Sequence, residues 1–190
     1  PAGMFAAYKL LQSKKKLKIL LIEKGKSISK RQKNDVMCGF GGAGTYSDGK
    51  LHYTPVLSHT KSLHLVTLDD YESLVKEVEE IFKSFGVDAE FYPKDMSKAS
   101  DLVEKAQKED IRLYIRRTQH VGTDKLISII KNFEKYLIDN GVELLCEQEV
   151  TDLLVEKNLC TGVKVSNMKD GTVKNISGKV VLLAPGRVGA

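Results

Sequence analysis

The sequence predicts an α/β fold that combines a parallel sheet, an antiparallel β-meander and a partly helical insertion. Three observations predict it: an apolar helix leading into a short apolar strand, a similar helix and strand after residue 123, and three short β-branched segments separated by turn residues. The 190 residues, 42% of them hydrophobic, are enough for one good core and a small second unit.

The first two elements are a helix and a buried strand. Apolar residues recur at helical spacing over 4–11, and Pro1 suits a first helical turn because it lacks an amide hydrogen. The apolar run 17–22 then predicts a parallel strand that ends at Glu23. Four lysines cluster where the helix should turn into the strand, and we expect them to form a solvated turn: Lys14, Lys15, Lys16 and Lys18.

A glycine-rich loop and two amphipathic helices follow. Segment 38–49 holds five glycines, which predicts a loop that passes close to another group or adopts left-handed backbone angles. Residues 69–85 and 98–108 have the periodicity of two amphipathic helices. We expect these helices to form an insertion.

The last third alternates strands with turns. Residues 111–121 predict a strand, and Thr123 and Asp124 begin a helix that Gly141 stops. A strand over 142–147 follows it directly. Segments 151–157, 161–167 and 172–177 predict an antiparallel meander, and the apolar run 180–183 predicts a final strand.

Composition excludes several function classes. Cys38, Cys146 and Cys160 lie far apart, which excludes a neighbouring redox pair or a cysteine metal clasp. The formal charge of +5 could indicate nucleic acid, but no aromatic residues interleave with the lysine cluster. No apolar run has the length of a membrane span, and the first residues do not show a charged segment followed by a hydrophobic stretch and a cleavage site, so we expect a cytoplasmic location.

The opening residues resemble the tail of a dinucleotide-binding fingerprint. Such a motif places glycines where a strand turns into a helix, so that a pyrophosphate approaches backbone amides. Here Pro1, Ala2 and Gly3 correspond to its end, and Glu23 follows Gly3 by 20 residues, where an acidic group binds a ribose. Because the chain begins inside the motif, we expect a fragment truncated at both ends. An ordinary helix and buried strand are the alternative.

Four short sequence segments, including the glycine-rich loop, resemble those of a known protein family. The sequences IEKG at 22–25, GGAGTYSDGKL at 41–51, RTQHVGTDKL at 117–126 and APG at 184–186 resemble FAD-dependent dehydrogenases of the glutathione-reductase-like flavoprotein superfamily. The resemblance spans nearly the whole chain. It implies a Rossmann-like FAD-binding domain in two parts, 1–50 and 119–190, with 51–118 as an insertion or part of a substrate domain.

The resemblance also implies the cofactor contacts. The glycine-rich loop would pass beside the flavin, the stretch around Val150 would place its backbone against adenine, and the closing APG segment would lie beside the pyrophosphate. The implied FAD-binding residues are Pro1, Ala2, Gly3, Glu23, Lys24, Gly41, Gly42, Ala43, Ser47, Lys50, Val150, Ala184 and Gly186. A flexible glycine-rich surface turn is the alternative for the loop.

These motifs indicate an FAD-dependent oxidoreductase that transfers a hydride to or from a small organic molecule, with NAD(P)H as one candidate electron donor. The sequence does not identify the catalytic residues, and Lys50 and His52 are candidates beside the loop. The alternative function is a dinucleotide-binding module without catalysis, or a tRNA-modifying flavoprotein that uses the basic charge. No RNA-recognition motif supports nucleic acid as a partner.

Overall fold

The fold divides into two compact units. The computed structural model describes residues 1–53, 56–57, 60–61 and 66–186. The first unit comprises Pro1–Ser47 and Ile130–Ala190, and the second comprises Asp48–Ile129. The roles predicted for 1–50, 51–118 and 119–190 stay predictions.

Four helices and ten strands occur in the described ranges. The helices are α1 (Ala2–Leu11), α2 (Leu68–Ser84), α3 (Met96–Lys108) and α4 (Thr123–Asp139), together with a 3₁₀ helix at Ala43–Tyr46. The strands are β1 (Ile19–Glu23), β2 (Lys50–His52), β3 (Val56–Leu57), β4 (Thr60–Lys61), β5 (Phe91–Tyr92), β6 (Thr118–His120), β7 (Val142–Cys146), β8 (Gln148–Glu156), β9 (Leu159–Asn167) and β10 (Val173–Ser177). In the described part of the chain, no helix combines the length and apolarity that a membrane crossing needs.

The first unit contains the predicted parallel strands. β1 pairs with β7 in parallel register from Ile19 opposite Val142 to Glu23 opposite Cys146, so both carboxyl ends lie at one edge. α1 and α4 meet through aromatic rings: the Phe5 and Phe133 centroids are 5.2 Å apart, and Phe133 is fully buried. The lysine-rich turn between α1 and β1 is exposed throughout, which confirms the solvated turn.

The meander is also confirmed. β8, β9 and β10 form an antiparallel sheet with β9 in the centre, and a β-bulge interrupts the β8–β9 register between Val150 and Asp152. The strand predicted over 180–183 is wrong, because this run pairs with no described strand and Val180 is 86% exposed. Apolar character alone does not make a strand when no neighbouring edge accepts its hydrogen bonds.

The second unit contains both amphipathic helices and a small sheet in the order β2, β6, β5. The Thr67 side chain caps α2 and that of Asp95 caps α3, each by accepting first-turn amides. The strand predicted over 111–121 is too long, since residues 111–117 form no strand and Ile111 and Tyr114 are exposed. The buried hydrophobic residues of this unit include Phe82, Phe85, Leu126 and Ile129.

Candidate functional site

The N-terminus of α1 is where three predicted cofactor segments meet. A Cβ atom added to Gly3 would lie 3.2 Å from Leu21 Cδ1 of β1 and 3.7 Å from Ala184 Cβ. Gly3 therefore permits close packing of helix against strand, which is the role of the last fingerprint glycine. The same contact brings the closing segment beside the opening one, although about 180 positions separate them.

The glycine-rich loop also lies beside the N-terminus of α1. Gly42 has φ 77° and ψ −178°, a region that only glycine adopts readily, and a Cβ atom there would lie 2.5 Å from Pro1 Cδ. The 3₁₀ helix begins at once with Ala43, which is exposed like Pro1 and Ala2. We call the surface formed by Pro1, Ala2, Gly3, Gly42 and Ala184 the α1 cradle.

The electrostatics of the α1 cradle favour an anion. No side chain of the described residues caps α1 and its first turn holds no acidic residue, whereas side chains cap both α2 and α3. The first amides of α1 therefore keep their hydrogen-bonding capacity, and the positive end of the helix dipole adds to it. Phosphate groups bind at helix ends of this kind.

Glu23 links the end of β1 to the glycine-rich loop. Its Oε1 accepts hydrogen bonds from the Gly25 amide at 2.8 Å and from the Gly39 amide at 3.0 Å. Its Oε2 accepts no hydrogen bond from any described residue, so it can accept one from a ribose hydroxyl. Gly25 was not among the predicted site residues, yet a Cβ atom there would lie 2.4 Å from the Gly39 nitrogen.

The start of β8 lies beside the end of β1. Lys24 Nζ pairs with Glu149 Oε1 at 2.6 Å, and the Glu147 amide donates to the Gly25 carbonyl at 2.8 Å. Val150 pairs with Val165 of β9, while β8 is the edge strand of its sheet among the described residues. Its outer backbone edge can therefore offer a donor and an acceptor to a planar base.

Several predicted residues are not part of this convergence. Ser47 follows the 3₁₀ helix as its C-cap, and its amide donates to the Gly44 carbonyl at 3.2 Å. Gly186 has φ 70°, and apart from its chain neighbours no atom of the described residues lies within 4 Å of its added Cβ position.

Both candidate catalytic residues belong to the second unit. Lys50 Nζ pairs with Asp48 Oδ2 at 3.0 Å, and His52 Nδ1 shares a 2.9 Å hydrogen bond with Thr118 Oγ1. Their roles stay predictions.

The three cysteines lie apart from one another in the described part of the chain. Cys38, Cys146 and Cys160 are free thiols, and no group of three or more metal-ligating side chains occurs in the described ranges. Burial, followed by the negative charges of Glu134 and Glu23, raises the pKa of Cys146 to about 12, so this thiol is neutral at physiological pH.

Arg31 contacts the glycine-rich loop, although the sequence analysis did not identify it as a site residue. It lies in a polar segment that resembles solvated surface, yet its side chain is only 5% exposed and donates to carbonyls of the glycine-rich loop. The amino-acid sequence does not reveal these contacts, because the partners of the Arg31 guanidinium are backbone carbonyls of residues up to eleven positions away.

A family model described as an FAD binding domain matches residues 1–190. No curated protein matches the chain. Among solved structures, the L-amino acid deaminase from Proteus vulgaris is similar with a TM-score of 0.46 and 13% sequence identity. That alignment covers 92% of this chain and 43% of the deaminase, so the chain spans less than half the length of that protein. The match over all 190 residues shows that this chain belongs to the FAD-binding domain family and that its cofactor is FAD.

Proposed function

We propose that this chain is the FAD-binding part of an FAD-dependent oxidoreductase that transfers a hydride to or from a small organic molecule. The observation that carries the proposal is the convergence of the α1 N-terminus, the glycine-rich loop and the carboxyl end of β1. Ligands of α/β proteins bind at the carboxyl ends of parallel strands. A Rossmann-like fold of the glutathione-reductase-like superfamily is part of this proposal.

The residues of the α1 cradle fit the charged centre of FAD. Gly3 and Gly42 stand where a Cβ atom would meet β1 or Pro1, so the backbone itself forms the surface. The uncapped amides of α1 would bind the pyrophosphate, together with the loop around Gly41 and Ala43. Ala184 would bound the same region from the closing segment, and Gly186 stays a predicted contact outside this convergence.

The end of β1 fits the adenosine half. Glu23 Oε2 would accept a ribose hydroxyl, and its negative charge would repel the 2′-phosphate of an NADP-type dinucleotide. Lys24 is held by Glu149 at the start of β8, close along the chain to Val150, whose backbone would face adenine. The site therefore suits an unphosphorylated ribose.

The chemistry of the reaction would come from the flavin, which accepts or donates the hydride, while the protein provides orientation and charge. Ser47 and Lys50 would contact the flavin end, with Lys50 and His52 as candidates for charge stabilisation or proton transfer. A small organic substrate, NAD(P)H as electron donor and a cytoplasmic location complete the proposal. No structural observation favours the tRNA-modifying alternative.

The test is the absorption spectrum of the purified protein, followed by anaerobic reduction. We expect flavin absorption bands at about one FAD per chain, and bleaching of these bands when NADH, NADPH or an organic donor is added. A bound flavin that no donor reduces and no acceptor reoxidises would favour the non-catalytic module. A mobility shift with tRNA that falls steeply with salt would favour the RNA-directed alternative.

A further inference from the structure

The Arg31 side chain donates hydrogen bonds to several carbonyl groups of the glycine-rich loop. Its Nη1 donates to the Phe40 carbonyl at 2.7 Å and to the Gly42 carbonyl at 3.0 Å, with the Gly39 carbonyl at 3.4 Å. Its Nη2 donates to the Asp35 carbonyl at 2.8 Å. One planar guanidinium therefore fixes both the entry and the centre of the loop.

Tyr46 holds this guanidinium from the far end of the loop. The Tyr46 ring centroid lies 4.8 Å from Arg31 Cζ, and the Tyr46 hydroxyl donates to the Arg31 carbonyl at 3.0 Å. The two residues therefore bind one another through side chain and backbone together. Because Tyr46 ends the 3₁₀ helix, this contact fixes the loop beyond Gly42 as well.

The bonds to Arg31 give the loop two different faces. The carbonyls of Phe40 and Gly42 are turned toward the guanidinium. The amides of Gly41, Ala43 and Gly44 donate to no group in the described part of the chain. The amides of Ala43 and Gly44 are consecutive, whereas the Gly42 amide donates to the Gly39 carbonyl at 2.9 Å. Consecutive amides without partners form a partially positive surface that suits an anion or an electron-rich edge.

We propose that Arg31 is a positioning residue for FAD: it holds the loop carbonyls inward so that the amides of Gly41, Ala43 and Gly44 face the cofactor. It acts through the backbone of the loop. The inference rests on FAD binding at the α1 cradle, where Gly42 contacts Pro1. It makes the shape of the loop depend on one side chain that precedes the loop in sequence.

Arg31→Lys is the decisive variant, because it keeps the positive charge and removes the planar fork. We expect the FAD dissociation constant to rise about tenfold to a hundredfold, which corresponds to the loss of one hydrogen bond to a charged group. The circular dichroism of the bound flavin should also change. Lys33→Met, at an exposed position two residues away, removes a charge from the same segment and should leave the dissociation constant unchanged.

The readouts separate positioning from a general structural role. If Arg31 only stabilises the fold, Arg31→Lys lowers the urea unfolding midpoint while the folded protein binds FAD with wild-type affinity, and the inference is overturned. Should Arg31→Lys not fold, Tyr46→Phe decides, since it removes only the hydroxyl bond to the Arg31 carbonyl. An unchanged dissociation constant in Tyr46→Phe would then refute the inference, whereas a wild-type protein without FAD would refute the proposed site itself.

Discussion

Two substitutions of Glu23 separate the effect of its bonds to the Gly25 and Gly39 amides on stability from the effect of its proposed ribose bond on FAD affinity. In Glu23→Ala the part-buried amides of Gly25 and Gly39 lose their common acceptor, which lies 2.8 and 3.0 Å from them. An unpaired amide costs about 1–3 kcal/mol when it is fully buried. Two such amides would cost about 2–6 kcal/mol if fully buried; since both are only partly buried, we expect the FAD-free protein to lose about 1–4 kcal/mol of unfolding free energy.

Glu23→Gln keeps an oxygen for both amides and removes the charge. We expect its unfolding free energy to fall by less than about 1 kcal/mol, because a neutral acceptor remains in place. Its FAD affinity should fall about tenfold, since charge-assisted hydrogen bonds are roughly twice as strong as neutral ones. Glu143→Gln on the exposed side of β7 is the matched control for loss of charge.

Urea unfolding of the FAD-free proteins and fluorescence titration with FAD measure the two effects. If Glu23→Ala unfolds within about 0.5 kcal/mol of wild type, the two amide bonds contribute nothing and the link from β1 to the loop is wrong. If Glu23→Gln binds FAD as tightly as wild type, Oε2 does not hold the ribose.

Three further substitutions test other parts of the structure. Gly42→Ala should destabilise the protein by about 1–3 kcal/mol in thermal unfolding and weaken FAD binding, because φ 77° with ψ −178° suits only glycine. Gly44→Ala is the control: apart from its chain neighbours, no atom of the described residues lies near an added Cβ at Gly44, so its thermal unfolding should match wild type. Lys50→Met removes a positive charge and should lower the flavin midpoint potential by roughly 20 mV, the equivalent of about 1 kcal/mol over two electrons. Spectroelectrochemistry measures this shift, and an unchanged potential would place the Lys50 ammonium away from the flavin. Glu134→Gln should stabilise the protein at neutral pH. Burial raises the pKa of Glu134, so ionisation of this carboxyl lowers the stability of the wild type as pH rises through that pKa. In unfolding curves at acid pH, where Glu134 is protonated, the stability difference between variant and wild type should disappear.

Local periodicity predicted most of the helices and strands. The helices α1, α2, α3 and α4 follow from apolar spacing and from stop signals such as Gly141, whose φ is 90°. The meander follows from β-branched segments between turn residues. Both signals lie within a window of about fifteen residues, which is why a single sequence reveals them.

The two misjudged strands depend on partners that lie outside such a window. Residues 111–117 and 180–183 are apolar enough for strands, but a strand forms only where another backbone edge accepts its hydrogen bonds. The same limit hid Arg31, whose partners are carbonyl groups and not side chains. It also hid the ion pair between Lys24 and Glu149, which joins residues 125 positions apart.

The walls of the α1 cradle are made largely of main chain, and this limits how the cofactor preference of the protein can be changed. Wherever Gly3 and Gly42 bring two segments together, any other residue is larger, so these positions offer no gradual route to a new ligand. The side chains at the end of β1 are different, because Glu23 keeps one carboxylate oxygen available and Lys24 is exposed. An experiment that seeks a variant for a different dinucleotide should therefore randomise positions 23 and 24 and leave the glycines fixed.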